Sequence, residues 1–567
     1  MDTILKYSEP DKAAVELLTE RLNCHPLLAK LLSARNILTV REAESFLNPN
    51  FENLPDPFLL KDMDMAVKRI YTALENKEKI LVFGDFDADG VTATALLIDF
   101  LEYCQADISW YIPHRIKEGY GLQTDHIKMA EDQDVDLIIT VDCGITSLDA
   151  VRDAGLEDID VIITDHHEPG PELPPALAVI NPKRSDCLSS LGYLAGVGVA
   201  FFLVMALRKF LRDKNFWEEI SEPNLMDSLD LFTIGTIGDM VPLVHVNRTL
   251  CIAGFKRIRQ GTRPGLKSLV DISRLDITKI DSDDISYKIV PRINAAGRIS
   301  HARICVSQLT ATDRISAEKT AGLLDQLNIR RRKIEQEIIA DIEKKLTRNP
   351  HLLDTKLLFL WDDKWDPSVL GIAASKLSKK YFCPVVLLST GNGDAVGSCR
   401  SIDQINIHQA LTESEPLLVK FGGHAMASGL TVKKDNLIQL QQRLQNYIET
   451  SCTHDFQKTL TIDAILDPQD IDIHLAREID RLRPFGIENP EPVFLCEDLN
   501  VAASYMIANS HRKMTLERPG NSNHQVEAFH FNISDSDNLP VYYPKIAFKI
   551  KINKFRTNTV QIIIEDI

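Results

Sequence analysis

The sequence predicts an α/β protein: a parallel-sheet domain with helices on both faces, a smaller α/β domain joined to it by a long helix, and a C-terminal β-barrel. Three observations carry that prediction. From Lys79 onward, short apolar runs alternate with helical stretches, as repeated βα units require. Residues 315–347 keep helical periodicity without a break. Beyond Asp455, the pattern changes to short strand-like runs separated by turn clusters.

Size and composition set the outer bounds. A chain of 567 residues exceeds one ordinary hydrophobic core, so about three domains are expected. A hydrophobic fraction of 44% and a charged fraction of 26% are those of a soluble globular protein. The longest apolar run, Leu194–Leu207, is shorter than the roughly 18–20 residues that span a bilayer, and reads as a buried helix. Residues 1–10 lack the basic-then-apolar pattern of an export signal. Ten cysteines without a CxxC pair argue against zinc and against a disulfide framework. A cytoplasmic protein with no membrane association is therefore expected. The net charge of −17 lowers the expectation of non-specific duplex binding, although a nucleic-acid footprint is a local basic surface rather than a whole-chain property.

Taken in order, residues 1–75 are helical in pattern and are expected to pack on the domain that follows. Residues 76–310 form the first α/β domain, with strands at Ile80–Phe83, Ile108–Ile112, Leu137–Val141, Val161–Thr164 and Ala176–Ile180. Residues 311–350 are the connecting helix, with Leu323, Leu327, Ile334, Ile338, Ile342 and Leu346 on one stripe. Its run Arg330, Arg331, Arg332, Lys333 fits either a solvated linker or a basic wall along a nucleic-acid path. Residues 351–452 form the second α/β domain, with strands near Leu357–Leu360 and Val385–Ser389. Residues 455–567 form the barrel, with a turn cluster at 519–523. Its clearest strand sets Ile546, Phe548, Ile550 and Ile552 on one face, and Lys545, Lys549 and Lys551 on the other. That basic face suits single-stranded nucleic acid, as in OB-folds, and suits a solvated exterior equally.

The chemistry concentrates at strand ends. Asp85, Asp87 and Asp89 follow the first strand within five residues and precede a helix. One such aspartate is an ordinary cap or turn residue. Three together repel unless a cation neutralises them. Asp142 ends the strand Leu137–Val141, and Asp165, His166 and His167 end the next. Asp239 follows a helical stretch and precedes a proline-marked turn. Ligands of open parallel sheets bind beyond the carboxyl ends of the strands, so these groups converge on one edge. Carboxylates with one or two imidazoles suit Mn²⁺ or Mg²⁺. Two such ions roughly 3.5–4 Å apart clamp the oxygens of an in-line phosphoryl displacement, with Asp142 placed to bridge them. The second histidine of the pair either binds metal, orients its neighbour or meets phosphate charge. No P-loop is present to support ATP-driven chemistry.

In this order, the motifs GDFDADG (84–90), LIITVDCG (137–144), VIITDHH (161–167) and GTIGDMVPL (235–243) resemble the DHH phosphoesterases. Further stretches resemble the RecJ branch of that family, the single-strand-specific 5′ exonucleases. They are Pro113-His114-Arg115 with 118–121, Leu194–Gly198, Pro291–Arg298, Gly397–Ser401, Phe421–Gly429, and Arg483–Gly486 with 489–492. The resemblance covers nearly the whole chain. It implies a DHH catalytic domain, a DHH-associated domain across a cleft, and an OB-fold. It implies metal ligands drawn from Asp85, Asp87, Asp89, Asp142, His166, His167 and Asp239, with Asp87, Asp142, His166 and His167 catalytic. It also implies a site for a terminal 5′-phosphate made by Arg115, Arg298, Ser398 and Arg400, with Gly422, Gly423 and His424 handling substrate. Arginine suits bidentate phosphate contacts, although a lone arginine is as often a surface ion pair. Cys143, Gly238, Cys399 and Glu488 depart from the family pattern, and none of them removes a ligand.

The implied activity is two-metal hydrolysis of single-stranded DNA from its 5′ end, releasing 5′-mononucleotides in DNA repair and recombination, by a monomer. Single-strand-binding protein and a RecQ-type helicase are the partners the resemblance implies. The rivals are a sister phosphodiesterase acting on short oligonucleotides or cyclic dinucleotides, and a non-catalytic single-strand-binding replisome scaffold.

Overall fold

The computed structural model describes residues 3–218, 220–391, 393–508, 510–533, 539–553 and 559–566. The chain opens on a short strand, β1 (Ile4–Tyr7), whose partner comes from near its far end. The first α/β domain contains β2 (Lys79–Gly84), β3 (Asp107–Tyr111), β4 (Leu137–Val141), β5 (Asp160–Thr164) and β6 (Ala178–Ile180). All are parallel, in the order β3-β2-β4-β5-β6. The apolar runs are continuous rather than alternating because helices cover both faces. From β2 the chain goes first to one side and then, with β4, to the other. The crevice between β2 and β4 is therefore the topological switch point, where such sheets bind ligands.

The helix Arg314–Arg348 runs for 35 residues, about 50 Å. Its first half packs Ala321 and Leu324 into the core of the first domain, and its second half packs Ile338, Ile342 and Leu346 into the core of the second. The predicted stripe holds only for that second half. Upstream, Leu323 is exposed, and the buried line runs through Leu324, Asn328, Arg331 and Glu335. Within the basic run, Arg331 is buried, donating from Nη1 to Glu335 Oε2 (2.8 Å) and from Nη2 to Asn328 Oδ1 (2.9 Å). Lys376 of the second domain also pairs with Glu335.

The second domain carries β7 (Leu358–Asp362), β8 (Val385–Ser389), β9 (Ala395–Arg400), β10 (Leu418–His424) and β11 (Ala427–Val432). Their order is β10-β11-β9-β8-β7, with only β7 and β8 parallel. Then β12 (Thr459–Ile462) pairs with β1, and β13 (Ala464–Ile465) runs along β14 (Phe494–Ile507). β14, β15 (His511–Arg518), β16 (Asn521–Phe531), β17 (Tyr542–Ile552) and β18 (Val560–Asp566) close into a barrel, because β14 pairs with both β15 and β17.

Two expectations change here. Of residues 1–75, the part from Leu54 through the helix Met63–Asn76 joins the core of the first domain, with Leu60 buried in it. Leu18, Leu27, Leu28, Leu31 and Leu32 instead share a core with Leu475, Phe494, Leu516 and Phe548 of the barrel region. Their apolar faces match a surface far downstream, which local periodicity cannot reveal. The basic strand face is neutralised: Lys545 pairs with Glu497 (3.1 Å), Lys549 with Glu565 (3.0 Å), and Lys551 with Glu491 (2.7 Å) and Asp283 (3.1 Å). Among the described residues, no helix is long and apolar enough to cross a membrane.

Candidate metal centre and phosphate site

Three neighbouring strands deliver the acidic groups. Each strand lies about 4.8 Å from the next. The tips of β2, β4 and β5 thus bring Asp85 to Asp89, Asp142 and His166 within reach of one another. At the tip of β2, Asp87 caps the helix Ala88–Tyr103, accepting from the backbone N–H of Asp89 (2.9 Å) and Gly90 (3.2 Å). Past β4, Asp142 turns the chain with φ +62°, a left-handed conformation that aspartate tolerates better than most residues. Asp239 caps the C-terminal end of the helix Leu229–Gly238 and reaches the same place from a separate element.

His166 Nε2 is the hub, 3.2 Å from Asp142 Oδ1, 3.6 Å from Asp239 Oδ2 and 3.8 Å from Asp89 Oδ2. Three sets of ligand atoms lie close enough to hold an ion: Asp85, Asp87, Asp142; Asp89, His166, Asp239; and Asp142, His166, His167. All seven predicted ligands fall in these sets. Asp85 Oδ1, Asp142 Oδ1 and His166 Nε2 are buried yet make no hydrogen bond, which fits donor atoms aimed at a cation.

The electrostatics agree. Burial, then the charge of Asp87, raises Asp89 to about 7. Burial, then Asp89, raises Asp239 to about 9. Asp85 and Asp142 are pushed well above the carboxylate range by burial and by neighbouring aspartates. Burial, then His167, lowers His166 to about 3, so its ring is neutral as a ligand requires. Burial and mutual repulsion raise these carboxylates, and a divalent ion would relieve both.

Close packing fixes these positions. Asp89 accepts from the N–H groups of Gly196 (2.6 Å) and Val197 (2.8 Å) at the start of the helix Gly196–Asp213. A Cβ on Gly196 would lie 2.5 Å from the Asp142 carboxylate. One on Gly235 would lie 2.3 Å from Thr92 Oγ1 and 2.8 Å from Asp89 Oδ1.

Sequence reasoning assigns no role to two supporting residues. Asp165, fully buried, accepts from His167 Nδ1 (2.8 Å), from the N–H groups of His166 (2.7 Å) and His167 (3.0 Å), and from Ile145 N–H (3.0 Å). Burial works against protonation of His167, but the hydrogen bond and charge of Asp165 win and lift that ring to about 9. Tyr120 places its hydroxyl 3.0 Å from His167 Nδ1 and donates to Asp142 O at 3.2 Å. Its one signal is its place in the 118–121 motif.

Opposite the carboxylates, arginines gather from both domains. Arg115 lies over the Phe86 ring, 4.7 Å from its centroid. Arg298 donates from Nη1 to Ser368 O (2.8 Å), while its buried Nε finds no partner. Burial, then Arg115, Arg331 and Arg400, lowers Arg298 to about 9. On β9, Ser398 and Arg400 share a face and are joined by a 2.8 Å hydrogen bond; Arg400 Nε also donates to Ser375 Oγ at 3.0 Å. Cys399 points the other way, into the core of the second domain, and leaves that face undisturbed. Gly371, unforeseen in the sequence, keeps its helix clear: a Cβ there would lie 2.8 Å from Arg400 and 3.0 Å from Ser398 Oγ.

Gly422, Gly423 and His424 end the edge strand β10. Gly422 has open space beside it, whereas Gly423 has φ +136° and no room for a Cβ. His424 is lowered by burial and then by the charge of His167. Of the other departures, Cys143 is core, Gly238 abuts Ala88, and Glu488 holds φ +59°, a conformation natural to glycine.

Comparison with known proteins follows the same partition. The DHH family, N-terminal domain, matches residues 79–236; the DHHA1 domain, residues 354–450; and the RecJ OB domain, residues 462–566. The single-stranded-DNA-specific exonuclease RecJ of Salmonella typhimurium is 36% identical over 559 residues, covering 96% of each chain. That of Bacillus subtilis is 37% identical over 532 residues, 93% of this chain and 65% of its own length. The crystal structure of RecJ from Thermus thermophilus in complex with Mn²⁺ superimposes with a TM-score of 0.83 at 28% identity, over 99% of this chain and 78% of that one. Its Mg²⁺ complex gives 0.76 at 26% identity, over 99% and 77%. With three family domains in sequence and a relative matched along almost its full length, this chain belongs to the RecJ family of DHH proteins.

Proposed function

We propose that this chain is a metal-dependent exonuclease that hydrolyses single-stranded DNA from its 5′ end and releases 5′-mononucleotides. The observation that carries the proposal is the opposition of two charge clusters. Asp85, Asp87, Asp89, Asp142, His166 and Asp239 face arginines contributed by both α/β domains. The first set would hold two divalent ions, Mn²⁺ or Mg²⁺, whose chemistry there would be Lewis acidity at the scissile phosphate and a nucleophile available at neutral pH. Arg115, Arg298 and Arg400, with Ser398, bind the terminal phosphate, so the strand end is fixed one step from the bond that breaks. His167, held at Nδ1 by Asp165, is oriented to offer the developing phosphate charge a donor. Gly422 admits the backbone closely, and His424 contacts a phosphate from the second domain.

The barrel contributes stacking. Tyr505 and Phe531 are exposed on it, Phe529 and Phe531 are stacked 6.1 Å apart, and Lys513 lies 5.3 Å from the Phe529 centroid. Lys513, Phe529 and Phe531, with His511 and Ile507, line a cavity of about 390 Å³. Aromatic faces suit unpaired bases, and Lys513 is itself held by Glu527 at 2.8 Å. A monomer working in the cytoplasm, with single-strand-binding protein and a RecQ-type helicase as partners, completes the proposal.

The test uses an internally labelled strand with either end blocked, in Mn²⁺. Mononucleotide release that stops only with the 5′ block, and that Asp87→Ala abolishes, is the expected result. Cleavage confined to short oligonucleotides or cyclic dinucleotides would instead assign a sister phosphodiesterase.

A further inference from the structure

Beside the carboxylate cluster, two loops distant in sequence hold apolar side chains out into solvent. Met240 directly follows Asp239, is 68% exposed, and has φ +61°. Glycine occupies that region freely and methionine does not. Ile487, 45% exposed, lies on the loop between Pro484 and Asn489. The loops are locked together: Leu243 N–H donates to Ile487 O at 2.8 Å, and Gly486 leaves room for the Leu243 side chain, which a Cβ would meet at 2.5 Å. Asn489 Nδ2 braces the second loop through Leu482 O and Pro484 O, both at 2.8 Å. Neither exposed side chain fills a core. A strained, exposed methionine next to a ligand calls for a functional reason.

Their place in the site decides what they meet. The arginines stand toward Asp85 and Asp87: Arg115 lies over the ring of Phe86, the residue between those two aspartates, and Gly297, next to Arg298, packs against Phe86 O. Asp239 lies at the start of the segment that, through Leu243 and Ile487, meets the C-terminal module. A strand whose terminal phosphate meets the arginines, and whose scissile phosphate meets the carboxylates, continues past Asp239. We infer that Met240, with Ile487 on the adjoining loop, forms an apolar step for the first base on the 3′ side of the scissile bond. Met240 is then a specificity-determining residue that requires that base to be unstacked, because a base paired in a duplex cannot turn its face to the step. A thioether is well suited to this, being polarisable and indifferent to base identity. The inference rests on the 5′-end polarity proposed above.

The experiment measures kcat and KM in Mn²⁺ on a 5′-phosphorylated single strand, and on the same strand lacking the base of its second nucleotide. Wild type is compared with Met240→Ala, Met240→Leu and Met240→Gly. Base removal is expected to raise the wild-type KM roughly three- to tenfold. Met240→Ala is expected to show that higher KM on the intact strand and no further loss on the other, with kcat within about twofold of wild type. Met240→Leu should behave as wild type. Met240→Gly should bind weakly while keeping a Tm at or above wild type, which separates lost contact from misfolding. Equal loss on base removal in wild type and Met240→Ala overturns the inference, as does a fall in kcat without a rise in KM. Failure of the polarity shows independently: wild type would then degrade the 5′-blocked strand as fast as the 3′-blocked one.

Discussion

Asp165 Oδ1 accepts a 2.8 Å hydrogen bond from His167 Nδ1, and the same carboxylate also receives three backbone N–H groups. Asp165 thus sets the orientation of both histidines without itself joining the metal-ligating atoms. Asparagine in its place keeps the shape but turns an N–H toward one of these donors. Asp165→Asn is expected to lower kcat about 10- to 100-fold, the usual scale for groups that orient ligands. Steady-state rates in saturating Mn²⁺ check this, and a wild-type kcat would remove Asp165 from the mechanism.

Metal binding should show in stability as a function of pH. The folded-state values of Asp89, Asp239 and His167 are raised, to about 7, 9 and 9, so the protonated forms stabilise the metal-free protein. That stability is lost as pH rises through these values. The Tm of the metal-free protein is expected to fall between roughly pH 6.5 and 9, and the increase on adding Mn²⁺ to grow over the same window, as protons give way to metal. Thermal scans with and without Mn²⁺ at both ends of the window decide it; an increment that does not change with pH would count against the carboxylate cluster.

Gly235→Ala tests how tightly the cluster is packed. The added methyl would meet Thr92 Oγ1 and Asp89 Oδ1, so Asp89 must move. A stability loss of about 1–3 kcal/mol is expected from overpacking, with Mn²⁺ affinity reduced at least tenfold by calorimetric titration. Unchanged affinity would mean that Asp89 tolerates displacement.

On the long helix, Glu335 is 1% exposed and answers Arg331. Arg331→Met leaves the buried Glu335 with Lys376 as its ion-pair partner and Asn328 without its donor, so it is expected to cost about 1–3 kcal/mol in denaturant unfolding, less than a fully orphaned buried charge. Arg331→Met with Glu335→Leu should recover most of that loss. Additive losses in the double variant would refute the pairing.

The barrel offers a contrast between its two faces. Phe531→Ala is expected to weaken binding of a long single strand by about 1–3 kcal/mol, whereas Lys545→Ala, paired with Glu497, should change it little. Fluorescence anisotropy at two salt concentrations measures both; a large effect of Lys545→Ala alone would return the binding face to the lysines.

The metal centre was legible in the sequence because strand tips are local features. Asp85, Asp87, Asp142 and His166 each follow an apolar run, and the topology of a parallel sheet brings the tips together. The lysines of β17 left two readings open for the opposite reason, since Glu497, Glu565, Glu491 and Asp283, which neutralise them, lie on other segments. The apolar faces at Leu18 and Leu27–Leu32 gave no sign that their partners were near residue 500. Gly371 matters only through its distance from Arg400, and no local motif expresses that.

The helix Arg314–Arg348 is embedded in two hydrophobic cores at once. Ser398 and Arg400 ride on the second core, whereas Arg115, Arg298 and the carboxylates ride on the first, so this rod sets whether the two halves of the phosphate site meet. In an enzyme arranged this way, the grip on the strand end is assembled by the helix and belongs to neither domain alone. Lengthening it by seven residues, which preserves the facing of its apolar sides and adds about 10 Å, should draw Ser398 and Arg400 away from Arg115 and Arg298 and leave the carboxylate cluster intact.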